Sequence, residues 1–328
     1  MSITGRQLQR EQLEGILLVN LATLTWATNM TLGRWLRNDV GPLTLAAARF
    51  FIASLIFLIL LRRRLPHERL PGQDRWLLLG MALSGVVLFS PMLYLGLRFT
   101  SVVNATLINS FGPLITGVLA AALIAEPMSR RQITGALAGL IGVLVLLSKG
   151  SLALWDQASG NVGDVIVLGA VSLWAMYSVL GRKVMQGRSA MSSTALSDLL
   201  GLPILLVAAL FEAQGQTIDL RPQVSLAILY IGIVPTVIGF LSWNTGVRRL
   251  GASGAMVFYN TLPLYGALLG FLLLGESITL THVLGGALII GGGLWAATSQ
   301  AAQDASQEDG TETKNRPVPE RQNLHNDR

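Results

Sequence analysis

No cysteine occurs in the chain, and histidine occurs only three times, as His67, His282 and His325. The first absence excludes disulfides, thiol redox chemistry and thiolate metal sites. The second leaves no H-E-x-x-H pair for a zinc intramembrane protease. It also leaves no well-buried imidazole for a Ser-His nucleophile, since His282 at a hydrophobic boundary is a poor candidate. Charge is scarce as well: 13% of the 328 residues are charged, against roughly 25% in a soluble domain. An intramembrane aspartyl enzyme needs two facing carboxylates that share a proton, and only Asp198 lies well inside an apolar run. Gly291, Gly292 and Gly293 fall inside an apolar segment, where they read as helix packing and not as a phosphate loop. These absences weigh against an enzyme and against any metal or cofactor.

What is present is hydrophobic. Apolar residues make up 52% of the chain, and mean hydropathy is +0.56. A bilayer core of about 30 Å takes roughly 20 apolar residues per helix, and ten such runs can be counted: 15–36, 42–61, 76–97, 103–125, 132–148, 161–181, 193–212, 226–247, 254–275 and 280–298. The pI of about 10.2 does not point to nucleic acid, because the basic residues alternate between loops. With the N-terminus inside, inner segments hold 14 of them, among them Arg62, Arg63, Arg64, Arg130, Arg131, Arg248 and Arg249. Outer loops hold five: Arg34, Arg37, Arg98, Lys149 and Arg221. The positive-inside bias therefore places both termini in the cytoplasm. After Thr298 the composition turns polar, with too little apolar surface to fold, so residues 300–328 are expected to form a disordered cytoplasmic tail.

The apolar part is written twice. Gly15–Arg34 and Gly163–Arg182 share eight of 20 positions at an offset of 148, including Trp26/Trp174, Gly33/Gly181 and Arg34/Arg182. A second block at offset 150 pairs Gly96 with Gly246, Pro113 with Pro263, Glu126 with Glu276 and Gly135 with Gly285. Five spans separate related helices, so the second copy is inverted. The expected fold is an all-α polytopic membrane protein with ten transmembrane helices in two inverted five-helix repeats. Residues 1–14 form a cytoplasmic segment, 15–148 the first repeat, 149–160 an outer linker and 161–299 the second repeat. Such repeats can rock about a site at their interface.

Several motifs carry a family resemblance. They are W-A-T-N-M-T-L-G-R in the first helix, A-A-R-F-F-I-A in the second, L-Y-L-G-L-R-F-T-S closing the third, and P-L-I-T with E-P-M-S-R-R-Q-I-T-G across the fourth and fifth. N-T-L-P-L-Y and G-E-S-I-T-L-T-H-V-L-G-G repeat the last set in the second half. Over about residues 13–299 the chain resembles the drug/metabolite transporter superfamily, EamA branch. The resemblance implies a secondary transporter, often an exporter of amino acids or other small metabolites, with a cavity between the halves. It also places Arg49 in the A-R-F motif of the second helix.

Polar side chains within apolar helices tend to face the bundle interior or a water-filled path. Arg49 lies about 10 Å below the outer surface, where it either lines a cavity or braces a helix end. Asp198, its counterpart at offset 149, lies about 8 Å from the inner surface and is the residue through which a proton could couple. The two are too far apart in depth for an unaided salt bridge. Trp26 and Asn29 share one helix face, and Trp174 and Tyr177 occupy the same two positions in the repeat. Tyr94 matches Asn244, which follows Trp243. Asn109 and Asn260 sit just before Pro113 and Pro263, the hinge candidates, where a missing backbone donor frees a carbonyl. All eleven polar and aromatic residues are substrate-binding candidates. Gly135, Gly139 and Gly142, with Gly285, Gly286, Ala287 and Gly291, mark helices five and ten as scaffold or a homodimer contact. Glu126 and Glu276 are expected to cap the helices that follow them.

The expected activity is secondary transport in the inner membrane: alternating access that moves a small, amino-acid-like metabolite, outward in preference to inward. Uptake of a vitamin-like or nucleoside-like solute is the alternative within transport. An intramembrane enzyme or a membrane receptor is the alternative outside it. The expected partners are a small-molecule substrate and the lipid bilayer, with no nucleic acid.

Overall fold

The computed structural model describes residues 3–62, 75–124, 130–147, 161–185, 188–214 and 221–292, except 244, 247, 248, 250–258 and 260, and also 295. Asn244 and Asn260 therefore lie outside the described residues, as do Glu126 and the tail. The helices are α1 (Ile3–Trp35), α2 (Pro42–Arg62), α3 (Arg75–Phe99), α4a (Val102–Asn109), α4b (Gly112–Ile124), α5 (Arg130–Leu147), α6 (Val162–Val184), α7 (Ala190–Ala213), α8 (Pro222–Trp243), α9 (Leu262–Leu274) and α10 (Leu280–Gly292). No strand occurs among the described residues. Among the described residues, seven helical spans are long and apolar enough to cross a membrane, taking α4a and α4b as one, and three shorter apolar helices accompany them. The bundle's surface is apolar: Phe211 on α7, Leu226 on α8 and Leu280 on α10 are all at least 65% exposed. So much exposed hydrocarbon suits lipid and not water.

Short polar residues start the helices. Ser101, Asn161 and Ser189 each accept a hydrogen bond from a first-turn backbone N–H of α4a, α6 and α7, and Pro222 opens α8 where its missing N–H costs nothing. The fourth apolar run is not one helix. It breaks at Ser110 and Phe111, and Pro113 falls in the first turn of α4b. Pro263 likewise falls in the first turn of α9. Both prolines thus follow a helix start instead of bending a helix from within.

The two copies interleave. Helix α1 lies chiefly against α9 and α8, with smaller contacts to α3 and α4a of its own half, while α6 lies against α3 and α4. A Cβ on Gly96 would meet Val167 Cγ2 at 2.7 Å and the Gly163 carbonyl at 3.1 Å. A Cβ on Gly246 would meet the equivalent atoms of Val19 and Gly15, the carbonyl at 3.2 Å. These are the same crossing made twice. Helices α5 and α10 meet in the same way: a Cβ on Gly142 would strike the Gly285 carbonyl at 2.7 Å, and one on Gly292 the Gly135 carbonyl at 2.5 Å. Gly135, Gly142, Gly285 and Gly292 are thus used against each other within the chain, whereas Gly139 and Gly286 face Phe111 and Leu107 and Gly291 has nothing within 4 Å.

Both α3 and α8 widen into a seven-residue π-helical stretch, Ala82–Leu88 and Gly232–Ile238, again at offset 150. Such stretches are rare and collect at functional sites. In α8 the cause is visible, because Pro235 supplies no N–H to the Ile231 carbonyl. The Thr236 hydroxyl donates to that carbonyl instead, at 2.7 Å.

One end of the bundle is laced by polar groups. Arg34 donates to the Leu97 and Arg98 carbonyls at 2.7 and 2.8 Å, and Arg98 to the Val40 carbonyl at 3.3 Å. Glu212 accepts from the Leu43 and Thr44 N–H groups at the start of α2, at 3.2 and 2.7 Å, and Arg221 pairs with Asp39 at 2.6 Å. Gly275 closes α9 with φ at 66°, a left-handed position suited to glycine. That turn aims Glu276 at α4a, where it accepts from the Val102 and Val103 N–H groups at 2.9 and 3.1 Å. Glu276 therefore caps α4a and not α10, the helix that follows it. Four of the five basic residues expected outside (Arg34, Arg37, Arg98 and Arg221) lie at this end.

Candidate functional site

Where the interleaved halves meet, a cavity with an empty volume of about 470 Å³ opens among α1, α2, α3, α4a, α6, α8 and Tyr259. A second lobe of about 290 Å³ shares Phe50, Gly85, Trp174 and Phe240 with it and extends to α7. Trp26, Asn29, Arg49, Asn109 and Trp174 line the first lobe. Trp174, Tyr177 and Asp198 line the second. Of the candidates within the described residues, only Tyr94 and Trp243 stand behind the wall.

The aromatic residues form one continuous cluster. Trp26 and Trp174, equivalent in the two copies, meet edge to face with ring centroids 6.3 Å apart. Phe240 lies 5.8 Å from Trp26 and 5.7 Å from Trp174. Trp174 stacks on Tyr177 at 5.0 Å, and Trp243 supports Trp26 at 5.4 Å. The Trp26 Nε1–H donates to the Pro235 carbonyl in the π stretch at 3.2 Å. The matching glycine of α3, Gly85, has no room for a Cβ because the Tyr177 ring lies against it.

Arg49 sits at the centre of a fixed polar chain. Its Nη1 donates to the Tyr94 hydroxyl at 3.0 Å, its Nε donates to Thr236 Oγ1 at 3.1 Å, and the Tyr94 hydroxyl donates to Asn29 Oδ1 at 2.8 Å. The guanidinium carbon lies 4.8 Å from the centroid of the Phe50 ring, a cation–π distance. Tyr94 thus positions Arg49 from behind and does not face the cavity itself. Asp198 is anchored separately: Ser54, five residues along α2 from Arg49, donates to its Oδ2 at 3.1 Å. No ion pair within 4.0 Å joins Arg49 and Asp198, as their depths predicted.

Position matching links the two lobes. Arg49 corresponds to Asp198, Asn29 to Tyr177, and Thr236 to Val86 at the offsets that relate the copies. Tyr177 and Val86 line the lobe that contains Asp198. Arg49 thus lines the first lobe and its counterpart Asp198 the second, while Trp26 with Trp174, Ser90 with Phe240 and Asn109 with Tyr259 bring both members of a matched pair to the first. Several lining residues escaped the sequence reading, five of which illustrate why. Phe89, Phe240 and Tyr259 gave no signal that separates a cavity ring from a buried one. Ser90 and Thr236 gave one, as hydroxyl groups beside a proline in an apolar run.

Residues 13–148 and 161–298 each match the model of the EamA-like transporter family. The chain belongs to this family. Among curated relatives, the "Uncharacterized transporter YyaM" of Bacillus subtilis is 30% identical, over 86% of this chain and 92% of that protein. A Salmonella typhimurium protein named "Probable amino-acid metabolite efflux pump" is 27% identical, over 84% of this chain and 92% of its own. A solved crystal structure covers 86% of this chain and 95% of its own at 23% identity, with a TM-score of 0.59, a likeness of fold. As an EamA-like chain the protein is a multi-pass membrane protein, and the central cavity is its candidate substrate site.

Proposed function

We propose that this protein is a ten-helix secondary transporter of the inner membrane, with both termini in the cytoplasm, that moves a small amino-acid-like metabolite outward by alternating access. The observation that carries this reading is the central cavity between the interleaved inverted copies. There, equivalent tryptophans meet across the interface, and the buried Arg49 and Asp198 side chains occupy matched positions in the two copies. A site placed on the axis relating two inverted repeats can be exposed to either side as the repeats rock. Helix breaks before Pro113 and Pro263 supply two related points at which the halves can flex. The name of the Salmonella relative supports an amino-acid-like solute and the outward direction.

Metabolite profiling of medium and cytosol from deletion and overexpression strains tests the reading. Overexpression is expected to raise one or a few small polar solutes in the medium and to lower them in the cytosol. Accumulation inside the cell would favour uptake, and unchanged profiles in both strains would sink the transport reading.

A further inference from the structure

Five buried side-chain polar atoms have no hydrogen-bond partner among the described residues, and three of them belong to residues lining the two-lobed cavity: Ser90 Oγ, Asn109 Oδ1 and Asp198 Oδ1. Buried groups of this kind are normally satisfied, so their convergence on one cavity marks a place suited to a polar solute. Arg49 adds the charge. It is only 4% exposed, yet its two protein acceptors, Tyr94 and Thr236, engage only Nη1 and Nε. A guanidinium carries five N–H donors, so both hydrogens of Nη2 and one of Nη1 donate to no acceptor among the described residues. Nη2 thus keeps two donors with which a carboxylate can make charge-assisted hydrogen bonds.

We propose that the uncommitted Nη2 of Arg49 is the carboxylate subsite of the cavity, and that Asn109 Oδ1 and Ser90 Oγ in the same lobe receive an N–H donor from the same solute. Trp26, Trp174 and Phe240 then contact its apolar body. This assignment rests on the transporter reading and deepens it by naming the chemistry that selects the solute: a carboxylate and an amine on one small apolar frame. Asn29 fixes Tyr94, and Tyr94 with Thr236 fixes the guanidinium plane, so the subsite is preorganised before a solute arrives.

Equilibrium binding to the purified full-length protein tests it, using quenching of the cavity tryptophans by phenylalanine, phenethylamine and phenylpropionate. The three probes share a ring and differ only in carrying both groups, the amine alone or the carboxylate alone. Phenylalanine is expected to bind at least about tenfold more tightly than phenethylamine, as a charge-assisted hydrogen-bonded pair implies. Arg49→Gln should erase that preference. Arg49→Lys, which keeps the charge but loses the fork, should reduce it in part. Asn109→Ala should leave it intact while erasing the preference for phenylalanine over phenylpropionate. Equal binding of phenylalanine and phenethylamine by the wild type would overturn the proposal, as would an unchanged preference in folded Arg49→Lys or Arg49→Gln protein. Because binding is read without transport, selective binding by a protein that carries no solute across liposomes would sink the transporter reading and leave the subsite standing.

Discussion

Trp26 and Trp174 each touch four other rings, and both border the cavity. If they grip the solute, Trp26→Ala and Trp174→Ala will each lower transport about tenfold, near the upper end of what an aromatic contact contributes. Membrane abundance should stay nearly unchanged. Parallel loss of both, measured by immunoblot beside liposome flux, would mean packing instead. Asp198 invites a second test. It is 2% exposed, holds one donor in Ser54, and leaves Oδ1 free toward a lobe joined to the solute cavity. A carboxylate so placed can take up and release a proton as the cavity changes sides. Reconstituted Asp198→Asn protein should still exchange substrate but no longer respond to a pH gradient, and wild-type indifference to the gradient would end the idea. These residues could be found from sequence because Trp, Arg and Asp are rare in apolar helices and recur at fixed offsets. Phe240 and Tyr259 could not, since an aromatic residue in an apolar run looks the same at a cavity as in a core.

At the scale of elements, glycine decides where helices touch. A side chain at Gly292 would run into the Gly135 carbonyl, whereas Gly291 has nothing within 4 Å of its Cβ position. Gly292→Leu should therefore destabilise the protein by about 1–3 kcal/mol, seen as a lower melting temperature in detergent, while Gly291→Ala stays near wild type. Similar losses at both positions would show that α5 and α10 do not pack as described. The glycine stripes were readable from spacing alone, although not their partner. The paired π stretches were not readable. Ala82–Leu88 and Gly232–Ile238 match at only one of their seven positions, Val87 with Val237, and only the second contains a proline to explain its widening. Glu276 was misassigned for a related reason: local order suggested α10, while the N–H groups it caps belong to Val102 and Val103, over 170 residues earlier.

At the scale of the whole molecule, the charge bias predicts orientation. A reporter active only outside the cytoplasm should light up when fused after Leu220 and stay dark after Arg63 and Arg249; the reverse pattern would invert the topology. The duplication itself was plain in the sequence, but a repeat reveals that two copies exist and not which helices they trade. The trade has a consequence for how the chain is made. Because α1 rests chiefly on α8 and α9, it is made long before its main neighbours exist. Synthesis delivers the N-terminal half first, yet that half supplies only the smaller part of the surface that buries α1. Biogenesis must therefore hold five inserted helices loosely assembled until translation is nearly complete. A stop codon between the repeats should yield not half a transporter but a substrate for membrane proteases.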